Sequence, residues 1–490
     1  MIFSDIFLRE DATGMRLIIY KQDENQQFVE FSQTETQFFN ANPNFFRHIA
    51  LEYKFDALVR LKIDVVAIND AIQEQIVYKI GEAHLDLPVL LANRGELSLP
   101  LNNTRGRLEV SLDAPDIYRQ AVKLRFTASH LHVTANTIAV KPYFVFLLNI
   151  SNRTILLHRS EMLSTKDPEW AAFSVPLFLL QFYQQGVLQL SVYNHYPNHQ
   201  DELIGSCCTN WTKLQRGPGA LNSYMLMNEE GKKKEEKIST DLVEFEIHET
   251  AGFFEIVKAG LSVDLGVSID FTASNGDPTQ PTSLHFIHPH KPNPYTNAIL
   301  KILPPLFGHS KETRISAMGF GARVGRDHQM SNCFPLEQTS QQFYVQGFNG
   351  LLNAYSSARL EVMFFGPTEF ADSIYHVSKF AKASARLKLG LYYVLVILTD
   401  GDLENTKGTR DALVDASEAP MSVVVVGLRD GQKFDKVVAL ESPILKHSDG
   451  RTMRRQVLSF TKFNDLATDD AFALIPFRIQ QWNMLYTKNS

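Results

Sequence analysis

Asp270, Thr272 and Ser274 form a D-x-T-x-S run inside Val267-Ser-Ile-Asp-Phe-Thr-Ala-Ser-Asn-Gly276, where an apolar stretch gives way to hydroxyls. One carboxylate and two hydroxyls are hard oxygen donors, the kind that Mg2+ or Mn2+ prefers. Three donors do not fill an octahedral shell, so others must come from elsewhere. Gly366-Pro367-Thr368 offers the hydroxyl of Thr368, and Leu398-Thr399-Asp400-Gly401 offers the carboxylate of Asp400. The same residue types cap helices, so capped turns in an ordinary α/β domain would also account for them. A third chemistry starts from Asp270 itself, as a phosphoryl-accepting nucleophile in a metal-dependent phosphoryl-transfer enzyme. Such sites carry a second Asp two residues on, where this chain has Thr272. The chain also has no G-x-x-x-x-G-K-[ST], H-E-x-x-H or G-x-S-x-G run. His285, His288 and His290 are close together, but Pro289 breaks any ligand spacing, and they read as structural. No catalytic residue is expected.

Positioning these donors requires a particular kind of sheet. From about residue 250 onward, apolar strands alternate with helical segments. Strands at 263–270, 392–400 and 421–428 are followed by helices near 295–303, 409–418 and 469–485, with another helix near 370–385. That alternation predicts an α/β doubly wound, Rossmann-like parallel sheet. Residues that close neighbouring parallel strands then lie on one rim, which would gather Asp270 and Asp400.

Up to about residue 249 the pattern is different. Residues 58–66 and 186–193 alternate apolar and polar side chains, as half-buried strands do. This half also repeats itself. Asn42-Pro43-Asn44-Phe45 is echoed by Asp167-Pro168-Glu169-Trp170, Leu61-Lys-Ile-Asp-Val65 by Leu188-Gln-Leu-Ser-Val192, and Ile80-Gly81 by Ile204-Gly205. The offsets are 168 − 43 = 125, 188 − 61 = 127 and 204 − 80 = 124. Nearly constant offsets in chain order predict two tandem copies of one all-β sandwich. The expected divisions are 1–115, 116–249 and 250–490, about three domains for 490 residues.

Composition excludes several classes. The formal charge of −6 argues against general nucleic-acid binding. Three cysteines build neither a disulfide framework nor a four-cysteine zinc site, which suits a reducing, cytoplasmic setting. No apolar run reaches the length of a membrane span, and Met-Ile-Phe-Ser-Asp does not read as a signal peptide. Membrane contact is therefore expected to be peripheral, at the plasma membrane. Residues 229–237, EEGKKKEEK, have nearly cancelling charges and read as a solvated loop.

The trio, the later Gly-Pro-Thr and the strand-ending Thr-Asp-Gly resemble the metal-ion-dependent adhesion site of von Willebrand factor A domains. Longer strings are similar to the copine family: Ile269-Asp-Phe-Thr-Ala-Ser-Asn-Gly-Asp277, Ser283-Leu-His285, Gly319-Phe-Gly-Ala322 and Pro420-Met-Ser422. That resemblance implies two C2-like sandwiches followed by a von Willebrand factor A domain. It implies that Asp270, Thr272, Ser274, Thr368 and Asp400 hold Mg2+ or Mn2+, which recruits partner proteins offering an acidic side chain. It also implies docking on acidic phospholipid membranes. A purely protein-binding scaffold without membrane function is the alternative.

Calcium-dependent lipid binding, a family property, meets an incomplete ligand set here. In the first copy Asp5 and Asp11 have the spacing of the first calcium loop, and the chain leaves little room before them for a first strand. The third loop puts Ala67 and Asn69 at the paired-Asp positions and Tyr78 at the later acid, leaving Asp70 and Glu74 as poor substitutes. In the second copy, Ala135 and Lys141 stand where the first loop needs Asp. Asn194 and Tyr196 occupy the third-loop pair, so Asp201 and Glu202 are what remains. An ammonium in a calcium site repels the ion. Calcium binding is expected to be weakened or lost in both.

Overall fold

The computed structural model describes residues 3–4, 12–40, 42–69, 75–102, 104–131, 140–150, 153–197, 199–228, 238–310 and 314–486. They form two compact units. One combines Met1–Ala114 with Ile256–Val263 and Ile299–Thr313, and the other combines Pro115–Glu255 with Asp264–Ala298 and Arg314–Ser490.

In the first unit, strands Phe28–Gln33, Gly14–Gln22, Arg60–Asn69 and Gln75–Asp86 lie side by side in that order, all antiparallel. A second sheet pairs Phe3–Ser4, Arg107–Ser111 and Glu96–Pro100. Alternate residues turn inward, so Leu17, Ile19, Ile63, Val65 and Leu85 meet Leu108 and Val110 in one core. The helix segment in this unit is anchored by His309, which stacks on Phe55 at 4.3 Å and bonds the Tyr53 hydroxyl at 2.9 Å.

In the second unit the same strand order recurs: Arg153–Arg159, Pro142–Ile150, Val187–Asn194 and Glu202–Thr209. The facing sheet runs Phe173–Pro176, Gln120–Ser129, Ser239–Glu249 and Ser223–Met225. Phe126, Phe144, Phe146, Trp170 and Phe173 fill the interior with Leu188 and Leu190. Leu474 and Phe477, from the end of the chain, join that same core.

The α/β sheet has the order Phe334–Pro335, Arg314–Phe320, Ser262–Asp270, Leu391–Thr399, Met421–Gly427, Leu458–Lys462, with Tyr344–Gln346 added along Arg314–Phe320. Ser262–Asp270 is parallel to Arg314–Phe320, and Met421–Gly427 is parallel to both Leu391–Thr399 and Leu458–Lys462. Strands buried on two faces read as continuous apolar runs, as Val394–Leu398 and Val423–Val426 do. Helices Ala371–Arg386 and Thr406–Ala416 cover one face through Ile374, Val377, Ala381, Ala412 and Leu413. The closing helix is shorter than its sequence suggests, spanning Ile475–Tyr486 and not starting at 469. Asp469 is instead committed elsewhere: its carboxylate accepts from Ala471 N at 2.7 Å and pairs with Arg153 at 3.0 Å. Among the described residues no helix is long and apolar enough to cross a membrane.

Candidate metal centre

Ser262–Asp270 and Leu391–Thr399 are sheet neighbours, and both finish at the same rim. Asp270 closes the first and Asp400 follows the second, both with no exposed surface. The chain then turns sharply at 271–276, and the turn is built by Asp270 itself. Its Oδ1 accepts from Thr272 N at 2.8 Å and from Thr272 Oγ1 at 2.6 Å, the self-bonding that favours Asp at turns. Its Oδ2 accepts from Thr399 Oγ1 at 2.5 Å, which ties the turn to the neighbouring strand.

The hydroxyls form a chain between the two acids. Thr272 Oγ1 lies 3.0 Å from Ser274 Oγ, and Ser274 Oγ donates to Asp400 Oδ1 at 2.9 Å. Asn275 spans the group from behind. Its amide donates to Asp400 Oδ1 at 3.1 Å and to the Thr272 carbonyl at 3.2 Å, while its oxygen accepts from Tyr295. Below the turn, the buried His285 ring touches the Asp270 carbonyl at 2.8 Å and stacks on Tyr295 at 4.0 Å. Burial holds that imidazole down to about 3, so it stays neutral and structural.

Asp270 is pushed above the ordinary carboxylate range, first by burial and then by the charge of Asp400. Asp400 is raised as well, again chiefly by burial. Burial first, and for Asp270 the neighbouring acid second, therefore make both groups costly to keep charged. The partial counterweight is Arg429, two residues beyond Met421–Gly427, the next strand along the same rim. Its Nη2 lies 3.0 Å from Asp400 Oδ2 and donates to the Ser274 carbonyl at 2.7 Å. The first contact is an ion pair without hydrogen-bond alignment, because Asp400 Oδ2 is buried with no hydrogen bond.

Thr368 sits on an adjoining loop. Phe365 joins the turn directly, its carbonyl accepting from Ala273 N at 2.9 Å and its N–H donating to the Gly321 carbonyl at 3.0 Å. Thr368 is buried, and its backbone exchanges bonds with Glu404, at 3.4 Å to the carboxylate and 3.2 Å from the Glu404 N–H. Gly321 supports the crossing: at φ +73° a Cβ there would stand 2.3 Å from Thr272 Cγ2.

The structure thus brings Asp270, Thr272, Ser274 and Asp400 into mutual contact, and holds Thr368 on the loop beside them. Among the described residues no three His, Cys, Asp or Glu side chains cluster as a metal-binding group. The donors here are two acids and hydroxyls, with one buried carboxylate oxygen left without a hydrogen bond. That set fits a hard divalent cation.

Residues 283–483 match the family model for the copine domain. That segment is copine-like. The matched copine segment contains Thr368 and Asp400, while the Asp270 turn lies just upstream of it. The chain is also similar to solved C2-containing structures. BON1-C2B is 15% identical, covering 28% of this chain and 98% of that one, with a TM-score of 0.25. The structure of Extended-Synaptotagmin 2 that joins its SMP domain to two C2 domains is 13% identical, covering 48% and 58%, with a TM-score of 0.20. A C2 domain of RIM from Drosophila is 12% identical, covering 27% and 98%, with a TM-score of 0.17.

Three residues of the rim carry little signal in the sequence. Asn275 directly follows the trio, and Thr399 directly precedes Asp400, so adjacency was the available signal. Arg429 follows an apolar strand two residues past its end, and only the strand order reveals where that end points. Among the calcium-loop residues, Asp5, Asp11 and Asp70 lie outside the described residues. Asp201 and Glu202 are within bonding reach of their own loop: Tyr143 and Tyr196 hydroxyls donate to them, each at 2.8 Å. Asn194 is buried and its side-chain oxygen accepts from Lys141 N at 2.7 Å.

Proposed function

We propose that this copine-like chain is a non-catalytic peripheral membrane or adaptor protein whose α/β region recruits partners through a divalent metal. Asp270, Thr272, Ser274 and Asp400 would hold Mg2+ or Mn2+, with Thr368 from the adjoining loop. The ion would supply a coordination position for the carboxylate of a partner protein. The observation that carries this reading is the pair of buried acids raised above their ordinary range and linked by hydroxyls, with Asp400 Oδ2 lacking a hydrogen bond. A phosphoryl-transfer role for Asp270 is disfavoured, because both its oxygens accept hydrogen bonds and the side chain has no exposed surface.

Calorimetric titration of the full chain with Mg2+ and with Mn2+ tests the metal. Uptake by the native chain that disappears in Asp270→Ala supports the reading, whereas equal uptake by both chains, or none by the native one, ends it.

The sandwiches would dock on acidic phospholipid without a strict need for calcium. The first sandwich supports this at its loop end. Phe39, 84% exposed, bonds Thr13, and Thr13 bonds Ile68 at the end of the strand Arg60–Asn69. Phe46 is 72% exposed and held on Glu35 by its N–H at 2.7 Å. Apolar tips of this kind are suited to entering a headgroup layer. Co-sedimentation with phosphatidylserine vesicles in chelator should persist in the native chain and drop in the Phe39→Ser, Phe46→Ser double variant. Absence of sedimentation with and without calcium would favour a protein-binding scaffold instead.

A further inference from the structure

The third loop of the second sandwich holds a cation that no sequence pattern announces. Lys446, in the copine segment, reaches into it. Its ammonium donates to Asp201 Oδ1 at 2.9 Å, to the His199 carbonyl at 2.8 Å and to the Tyr196 carbonyl. An ammonium has three N–H groups, and all three are used. Two carbonyls and a carboxylate are also the oxygen types that calcium takes from a loop.

Both sides of the contact are prepared for it. On the sandwich side, Asp201 also accepts from Tyr143 Oη at 2.8 Å and from Tyr196 N at 3.0 Å, with His195 beside it at 3.2 Å. Burial pushes the carboxylate up, but Lys446 first, then Tyr196 N and Tyr143, hold it below its ordinary range. On the other side, Lys446 projects from a tight turn. Lys446 bridges Thr452, His447 N donates to the Arg451 carbonyl at 2.7 Å, and Ser448 N to Asp411 at 2.9 Å. The surfaces are in close contact: a Cβ on Gly450 would stand 2.6 Å from the Pro197 carbonyl. Ile444 packs against the cluster of Tyr143, Val145, Leu147 and Leu156. Lys141, the cation that the sequence places on this end, is itself exposed and meets the loop through its backbone.

We propose that this loop is a cation site whose ligand is the Lys446 ammonium of the same chain. It latches the copine segment to the second sandwich and keeps calcium from solution out. The calcium half of this inference rests on the reading of the loop as the one that binds calcium in C2 domains, whereas the latch half stands on the contacts alone.

Hydrogen–deuterium exchange on the full chain separates the two. The variants are Lys446→Met, which keeps the aliphatic stem, Asp201→Asn, and the pair together. Each single variant should speed exchange of both 195–201 and 444–452 by about tenfold or more, the loss for a hydrogen bond to a charged group. The double variant should add little to either. Exchange over the buried strand Leu391–Thr399 is the control for folding and should not change. Effects confined to the mutated side, or fully additive in the double variant, would overturn the latch. Millimolar CaCl2 should leave exchange of 195–201 unchanged in the native chain. Calcium-induced protection there would overturn occupancy by Lys446. Neither readout involves vesicles or Mg2+, so failure of the proposed function would not be mistaken for failure of the latch.

Discussion

The rim at Asp270 and Asp400 and the loop at Asp201 are both built of buried oxygen, yet they are balanced in opposite ways. At the rim, two acids face each other and both are raised, with Arg429 only partly offsetting them. At the loop, one acid is lowered, because Lys446 and several donors already satisfy it. Burial penalises charge in both places, so the sign of the shift reports whether compensation is complete. An acid held down is a finished contact. Acids held up remain costly to charge, which is the condition under which a cation would be welcome.

The largest break in that comparison should come from Gly321→Ala. The new Cβ collides with Thr272 at a backbone conformation that disfavours any side chain, costing about 2 kcal/mol. Thermal melts should fall accordingly and Mg2+ should no longer raise the midpoint, while exchange at 195–201 stays native. A native Mg2+ response in this variant would mean that the turn does not position the donors. A smaller effect is expected from Arg429→Met. Removing the cation that stands 3.0 Å from Asp400 Oδ2 should tighten Mg2+ binding by about tenfold or more, a Coulomb estimate in a water-like medium. Weaker binding would show that Arg429 organises the rim through the Ser274 carbonyl and does not compete there.

Acid provides the finest test, read at two histidines, one in each unit, against a rim whose Asp270 is itself raised to about 6. Burial lowers His158 to about 3 in the second unit and His309 to about 4 in the first. The unfolded chain takes up these protons first, so the stability each contributes is complete above about pH 6.5 and is lost as pH falls toward those values. At pH 5.5 each imidazole should cost about 1.4 kcal/mol, read from denaturant midpoints at the two pH values. The raised acids of the rim gain stability over the same range, so the comparison is with His158→Phe and His309→Phe; a pH response equal to native in both would contradict their neutral burial.

Much of the rim was legible because short-range rules governed it. Asp270, Thr272 and Ser274 are two residues apart along one turn, and apolar runs such as YYVLVIL announce buried parallel strands. Parallel strands then bring Asp400 to the same edge. Arg429 was illegible because its place depends on strand order, which no local pattern encodes. The strand repeat of the first half was visible through its offsets. Lys446 had no signal at all, since 245 residues separate it from Asp201. The closing helix begins later than its pattern suggests for a related reason: Asp469 is claimed by Arg153, a partner 316 residues away.

Leu474 and Phe477 give the second sandwich a consequence for its biosynthesis. Its own strands are complete once Ser239–Glu249 has been made, but two members of its core, Leu474 and Phe477, arrive only near the last helix. A nascent chain must therefore carry that sandwich through the synthesis of the whole α/β region with the apolar patch under Leu474 and Phe477 uncovered. Premature termination late in translation would damage a module encoded far upstream.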